Sequence, residues 1–450
     1  MMSQAVKEEN AYSAFFHTLE ERASKSDPVW IQRLRQNAFK HFEDLGFPTT
    51  NREEWKYTNV APIAKTKFEP AFENLDVSPT LDSSQLQEFS YEEARRSQLV
   101  FVNGFYRAEL SSVEALPEGI VATDIASALK EEKYVDVLRE QLARSADYTE
   151  NAFTALNTAM LSSGAFLLIP KGVEVGLPIH LLFISDASEA QSLSSPRLLV
   201  ISERGSSATV IESYVSARES KAYFTNAVVE IVLADGARLN HYKVQRESIE
   251  AFHVATTQAS LARNSRFNST TITLGACLSR HNINVSLDAE GAECWVDGLY
   301  IVTTGQHTDT HSLIDHRQPH CTSHQLYKGI LDGKSRAVFN GKVFVRQGAQ
   351  QTDAMQTNKN LLLSDEARVD TKPQLEIFAD DVKCAHGATV GQLEEEELFY
   401  LASRGMHRDL ARNLLTYGFA EEVIDKIKIE SIKAQLDKAV LNRLQARLEA

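Results

Sequence analysis

Polar and apolar positions along this chain change their spacing twice. Ile31, Leu34, Ala38, Phe42 and Leu45 recur at the period of one helical face and predict an amphipathic helix. Ser26-Asp27-Pro28 marks its start, a capping side chain ahead of a proline that needs no N–H donor. Gly46 and Pro48 close it. The charged–aromatic run Arg52-Glu53-Glu54-Trp55-Lys56-Tyr57-Thr58 follows and reads, from spacing alone, as a small satellite core capped by charges. Residues 65–97 are polar and rich in Glu, Ser and Pro, which predicts an excursion or loop. From Asp124 to Leu161 many Leu, Ala, Glu and Arg residues with little glycine predict further helix.

From about Gly164 to Gly391 the period becomes two. Ile283, Val285 and Leu287 alternate with Asn282, Asn284 and Ser286, as in a half-buried strand. Polar turn markers recur before short apolar strands: Glu203-Arg204-Gly205, Ala234-Asp235-Gly236, Arg263-Asn264, Ala289-Glu290-Gly291, Leu331-Asp332-Gly333 and Ser364-Asp365-Glu366. Their spacing is roughly thirty residues, with a longer gap before Asp332, a weak repeat of the kind that stacks coils. The reading is a mainly β protein built on a parallel β-helix, with a β-sandwich as the alternative. After Gly391 the helical period returns. Glu394-Glu395-Glu396-Glu397 puts negative charge at a helix N-terminus, where the macrodipole favours it. Gly405 and Gly418 are read as punctuating two short helices, with a longer one from about Glu421 carrying Ile427, Leu436, Leu444 and Leu448. Such a tail either caps the coil or docks a partner. The expected domains are 1–162 (helical and mixed), 163–392 (β-helix) and 393–450 (helical).

Composition narrows the classes. The 450 residues carry a net charge of −14, which argues against nucleic acid as main partner because phosphate binding needs a basic surface. The four cysteines, Cys277, Cys294, Cys321 and Cys384, form no CxxC pair and are too sparse for a secreted disulfide scaffold, so a reducing, cytoplasmic compartment is expected. No apolar run reaches the roughly 18 residues that span a membrane, and the opening residues 1–9 have no apolar signal core.

Enzyme motifs are missing. Gly333-Lys334-Ser335 resembles the end of a phosphate-binding loop, but Lys328 stands where the first glycine is required. No dinucleotide fingerprint or GxSxG elbow is present, so the chain is not expected to hydrolyse ATP itself. His307, His311, His316, His320 and His324 crowd one segment beside Cys321, donors that suit zinc or iron. Pro319 prevents one continuous helix there, and the plainer reading is a polar strand-and-turn region with solvated imidazoles. Cys384 and His386 are separated by one residue. In a strand they point to the same side with Cα atoms about 6.8 Å apart, so both can approach one metal ion or cluster edge without completing a four-ligand site. The alternative is a buried cysteine and a hydrogen-bonded histidine at the end of a coil.

The run Asp380-Asp381-Val382-Lys383-Cys384-Ala385-His386-Gly387-Ala388-Thr389-Val390-Gly391 resembles the signature of the SufB/SufD family of iron–sulfur assembly proteins. Leu398–Gly405, Tyr327–Leu331, Phe339–Lys342, Gln356–Asn358 and Leu361–Ser364 continue the match in order. The Arg52–Thr58 run and Gly387, where B-type members tend to carry glutamate, are similar to the D-type branch. The resemblance implies a right-handed parallel β-helix between helical N- and C-terminal domains. It also implies a non-catalytic subunit of a SufBCD complex that pairs with SufB through the β-helices and docks the SufC ATPase on its C-terminal helices, with a homodimer possible for the isolated chain. By the same carry-over His386 sits at the SufB interface as a ligand of a transient iron–sulfur cluster, with Cys384 beside it in a less defined role. No cofactor is then bound permanently. Two other classes remain open from sequence: a polysaccharide-acting β-helix enzyme, which needs paired carboxylates about 5–9.5 Å apart, and a stand-alone metal-binding protein built on His307–His324.

Overall fold

Strands of eight to eleven residues form where the period-two pattern runs, and they stack coil on coil. Phe224–Leu233, Phe252–Leu261, Leu278–Leu287, His307–His316, Arg336–Val345 and Arg368–Ile377 lie parallel in a first sheet. Arg238–Arg246, Arg266–Thr273, Glu293–Val302, Thr322–Leu331, Thr352–Leu362 and Val382–Gly391 do the same in a second. In this computed structural model, which describes residues 11–23, 27–70, 83–187, 191–217 and 222–445, the two sheets wall a parallel β-solenoid of about 8 turns. The β-sandwich alternative is excluded, because every pairing between successive coils is parallel. Ser26, residues 71–82 and Leu448 lie outside the described residues.

Register makes the core. Leu233, Leu261 and Leu287 stack as one inward ladder that His316 and Val345 continue. Ala227, Val229 and Ile231 start parallel ladders beside it, all buried. Because side chains alternate between faces, one face of each sheet fills the solenoid and the other receives flanking elements.

The turn markers form two columns rather than one. Gly205, Gly236, Asn264 and Gly291, with φ of +69°, +67°, +54° and +72°, turn the corner from the first sheet to the second. His320 (+60°) and Gln351 (+56°) continue that column without glycine. Gly333 (+56°) belongs to the opposite corner together with Gly305 (+84°). The longer gap before Asp332 therefore reflects a switch of column. Asn and His tolerate the left-handed region better than most residues, which suits Asn264 and His320 to corners that lack glycine.

The N-terminal helices cover the first sheet's outer face. The helix Val29–Leu45 ends at Gly46 (φ +60°), whose N–H bonds the Phe42 carbonyl. Pro28 stands just ahead of it with no side-chain cap, while Asp27 pairs with Arg35. Phe39, Phe42 and Phe153 pack with Phe224, Phe252 and Leu278 of the solenoid. The helical stretch expected over Asp124–Leu161 is three helices, Ile125–Ala128, Glu132–Gln141 and Ala152–Ala159, the last capped by the Asn151 side chain. Gln98–Val102 is a fully buried strand, parallel to Ile179–Ser185, and it starts the second sheet well before the expected β region.

At the other terminus lie helices Glu395–Ser403, Arg408–Ile424 and Glu430–Gln445. Gly405 (φ +89°) separates the first two as expected, but Gly418 lies inside the second. A mid-helix glycine costs only about 1 kcal/mol, and packing overrides it. Ala420, Val423, Ile424, Ile432, Leu436 and Val440 bury Tyr242, Ile272, Leu299, Ile301, Leu326 and Leu361 on the second sheet's outer face. The tail thus lines a flank and leaves the last coil uncovered. No helix among the described residues is long and apolar enough to cross a membrane.

Candidate functional site

The solenoid ends on an open coil. Among the described residues, Val382–Gly391 pairs only with Thr352–Leu362, and Arg368–Ile377 only with Arg336–Val345. The far edge of each strand therefore presents unpaired backbone groups, a template for further strand pairing. Exposed apolar side chains surround that edge: Ile377, Phe378, Val390 and Met355. Phe378 is 60% exposed and holds its ring 5.3 Å from that of Phe344.

Register places Cys384 on Ala354 and His386 on Gln356, both buried and inward-facing, so the two candidate ligands share the inner side of the final rung. Their environments differ. Cys384 is half-buried and packs against the cluster of Val343, Val345, Ala349 and Ala354. Burial pushes its thiol above the ordinary range, and the Asp353 carboxylate adds to that against the Ala354 backbone contact, so the sulfur is protonated at neutral pH. His386 is exposed and has no hydrogen-bond or ion-pair partner among the described residues. The end of the coil thus offers one free imidazole and one thiol that reacts only after losing its proton. That is less than a complete cluster-binding set.

The Arg52–Thr58 run is the satellite core its spacing suggests, clamped to the first sheet's outer face. The Arg280 guanidinium lies 3.8 Å from the Trp55 ring centroid and donates to the Glu54 carbonyl oxygen and to Asp309 Oδ2, each at 2.7 Å. His311 sits between Glu54 Oε2 (3.2 Å) and Asp309 Oδ1 (3.1 Å). Thr58 Oγ1 meets His307 Nε2 at 2.9 Å, and Lys372 Nζ donates to Glu53 at 2.6 Å. Burial alone would raise the Asp309 carboxyl, but Arg280 and His311 hold it far below the usual carboxylate range. Burial opposes the His311 proton, yet Asp309 and Glu54 outweigh it and Arg280 and raise its pKa. The partners Arg280 and Asp309 were not singled out in the sequence. Both strands are mostly polar in sequence, so neither charge stood out from its neighbours.

The five clustered histidines do not converge. His307 and His311 face outward from the first sheet, and His324 stacks on Trp295 on the second. His320 turns a corner. His316 faces inward, its Nε2 2.8 Å from Ser323 Oγ, with burial lowering its pKa to about 4. The expectation of solvated imidazoles therefore fails for His316, which is fully buried because it replaces leucine in an inward ladder. Gly333-Lys334-Ser335 is a corner turn. On the C-terminal helices Phe399, Tyr400, Leu410 and Leu414 are exposed, Phe399 by 75%.

A parallel β-solenoid flanked by helices and ending in an open coil defines the structural class. Comparison with known proteins places the chain within it. Residues 183–419 match the family model described as SUF system FeS cluster assembly, SufBD core domain, and residues 6–181 match the SufBD protein N-terminal region. An iron–sulfur cluster assembly SufBD family protein of Synechocystis is 38% identical over 424 residues, covering 92% of this chain and 91% of the relative. SufD of Escherichia coli is 31% identical over 443 residues, 98% and 97% of the two chains, and SufB of Bacillus subtilis 27% over 423 residues, 90% and 88%. The chain belongs to the SufBD family of iron–sulfur cluster assembly proteins, as its motifs indicated. That membership also sets aside the polysaccharide-acting alternative.

Proposed function

We propose that the chain is a non-catalytic subunit of a SufBCD-type assembly complex. Its open coil pairs with a SufB-type partner, its C-terminal helices dock the SufC-type ATPase, and a nascent iron–sulfur cluster forms transiently where the two solenoids meet. The observation that carries this reading is the final coil itself. Two strand edges, an apolar rim at Ile377, Phe378 and Val390, and the partner-free His386 all lie on one uncovered surface. His386 supplies a neutral imidazole ligand, and the partner completes the set. Cys384, protonated and packed, acts mainly as a structural residue of the last coil. The exposed Phe399, Tyr400, Leu410 and Leu414 give the ATPase an apolar footing of the kind helix-borne interfaces use. The cytoplasm is the compartment of this reading.

The test is co-purification of the native complex from its own cell, followed by replacement of Phe378 and Val390 with Asp. Loss of the SufB-type chain with retention of the ATPase supports the assignment of the two surfaces. Retention of both chains overturns the role of the open coil.

A further inference from the structure

One inward column of the second sheet passes through Ser269, Val296, Gln325, Gln356 and His386, in register on five successive coils. Its last side chains form the start of an amide ladder. Gln356 Nε2 donates to Gln325 Oε1 at 2.7 Å, so the amide of one coil reaches back to the coil before it. The Gln356 side chain has little freedom. It is 1% exposed, and a Cβ added at Gly341 across the lumen would lie 2.5 Å from its Nε2 and 2.9 Å from its Cδ. Gln356 Oε1 is buried and has no hydrogen-bond partner among the described residues. A buried carbonyl oxygen left bare is unfavourable, and native structures leave few of them.

The next side chain in the column is His386, about 4.8 Å further along the stack. It is exposed and partner-free, hence able to change rotamer. We infer that Gln356 is a positioning residue for His386. Its Oε1 accepts the N–H of one imidazole nitrogen, continuing the ladder by one step. The other ring nitrogen then carries the lone pair and faces out of the open coil. The hydrogen bond made by one nitrogen of a histidine decides which nitrogen is free to ligate. This deepens the reading of His386 as cluster ligand and rests on it for its consequence, though the hydrogen bond itself can be observed without any cluster.

The experiment uses the full-length chain with isotope-labelled histidine, held at pH 8, with the His386 ring signals assigned by their loss in His386→Ala. One neutral tautomer in the parent is the expected result, and an even mixture of both overturns the inference without recourse to any further variant. Gln356→Met keeps the side chain's shape and removes the acceptor, so it should mix the tautomers. Gln356→Glu keeps an acceptor and should restore the single form. In the reconstituted complex, Gln356→Met should lower cluster content about tenfold, the usual scale for loss of an outer-shell bond to a ligand, with Gln356→Glu recovering most of it. Unchanged tautomers in Gln356→Met overturn the positioning role. A tautomer lock relieved by Gln356→Met, alongside normal cluster content in His386→Ala, upholds the positioning role and rejects only the ligand reading.

Discussion

Arg280 and Trp55 are separated by half the chain's length, yet the guanidinium lies 3.8 Å over the indole and ties the N-terminal segment to the solenoid wall. The same guanidinium neutralises the buried Asp309 carboxylate. Arg280→Ala removes the stacking and leaves that carboxylate uncompensated, which should destabilise the fold by about 3–5 kcal/mol. Trp55→Ala should lose a similar amount, about 3–5 kcal/mol. Because the two residues touch, the double variant should lose less than the sum of the single losses. Denaturant midpoints measure all three. Strict additivity would mean that the stacked pair is not coupled.

His316 makes stability pH-dependent with a defined sign. Its folded pKa of about 4 lies below the unfolded value of about 6.5. The unfolded chain therefore binds a proton first as pH falls, and the neutral buried imidazole's contribution is present above pH 6.5 and lost progressively towards pH 4. The full difference is about 3 kcal/mol. His316→Leu, which extends the leucine ladder, should flatten the stability profile between pH 6.5 and 4 relative to the parent. An unchanged slope would remove His316 from the account.

His386→Ala should cut cluster content of the assembled complex severely while subunit stoichiometry stays intact. Cys384→Ser should have a smaller effect, because the protonated thiol packs against Val343 and Ala354. Visible absorption and iron analysis per complex make the comparison. Normal cluster content in His386→Ala rejects the ligand role, and a complex that fails to form makes the residue structural.

The C-terminal helices are poor targets for truncation. Their removal uncovers Leu299, Ile301, Leu326 and Leu361 on the second sheet. Phe399→Ser with Leu410→Ser changes only exposed side chains. The pair should weaken ATPase binding about tenfold or more, as loss of an aromatic anchor does, without shifting the melting temperature. Unaltered affinity would move the docking surface elsewhere.

Much of this was legible one residue at a time. The period-two pattern, the turn residues and the return of helical spacing after Gly391 are local, and they led to the architecture. The run Asp380–Gly391 pointed to the candidate site before its geometry was known. A local signal misled where packing outweighed propensity: Gly418 stayed helical.

What sequence could not reach was which residues meet. Coil spacing of roughly thirty residues says that strands stack but not in which column a turn belongs, so His320 and Gln351 passed unnoticed as corners. Nor could spacing show that Cys384 is covered while His386, two residues along the same strand, is bare. A strand's pleat puts both on one side. Val343, Val345 and Ala349 from the facing strand and corner half-cover Cys384, the open end of the solenoid leaves His386 exposed, and a residue's solvent exposure depends on neighbours that are distant in the chain.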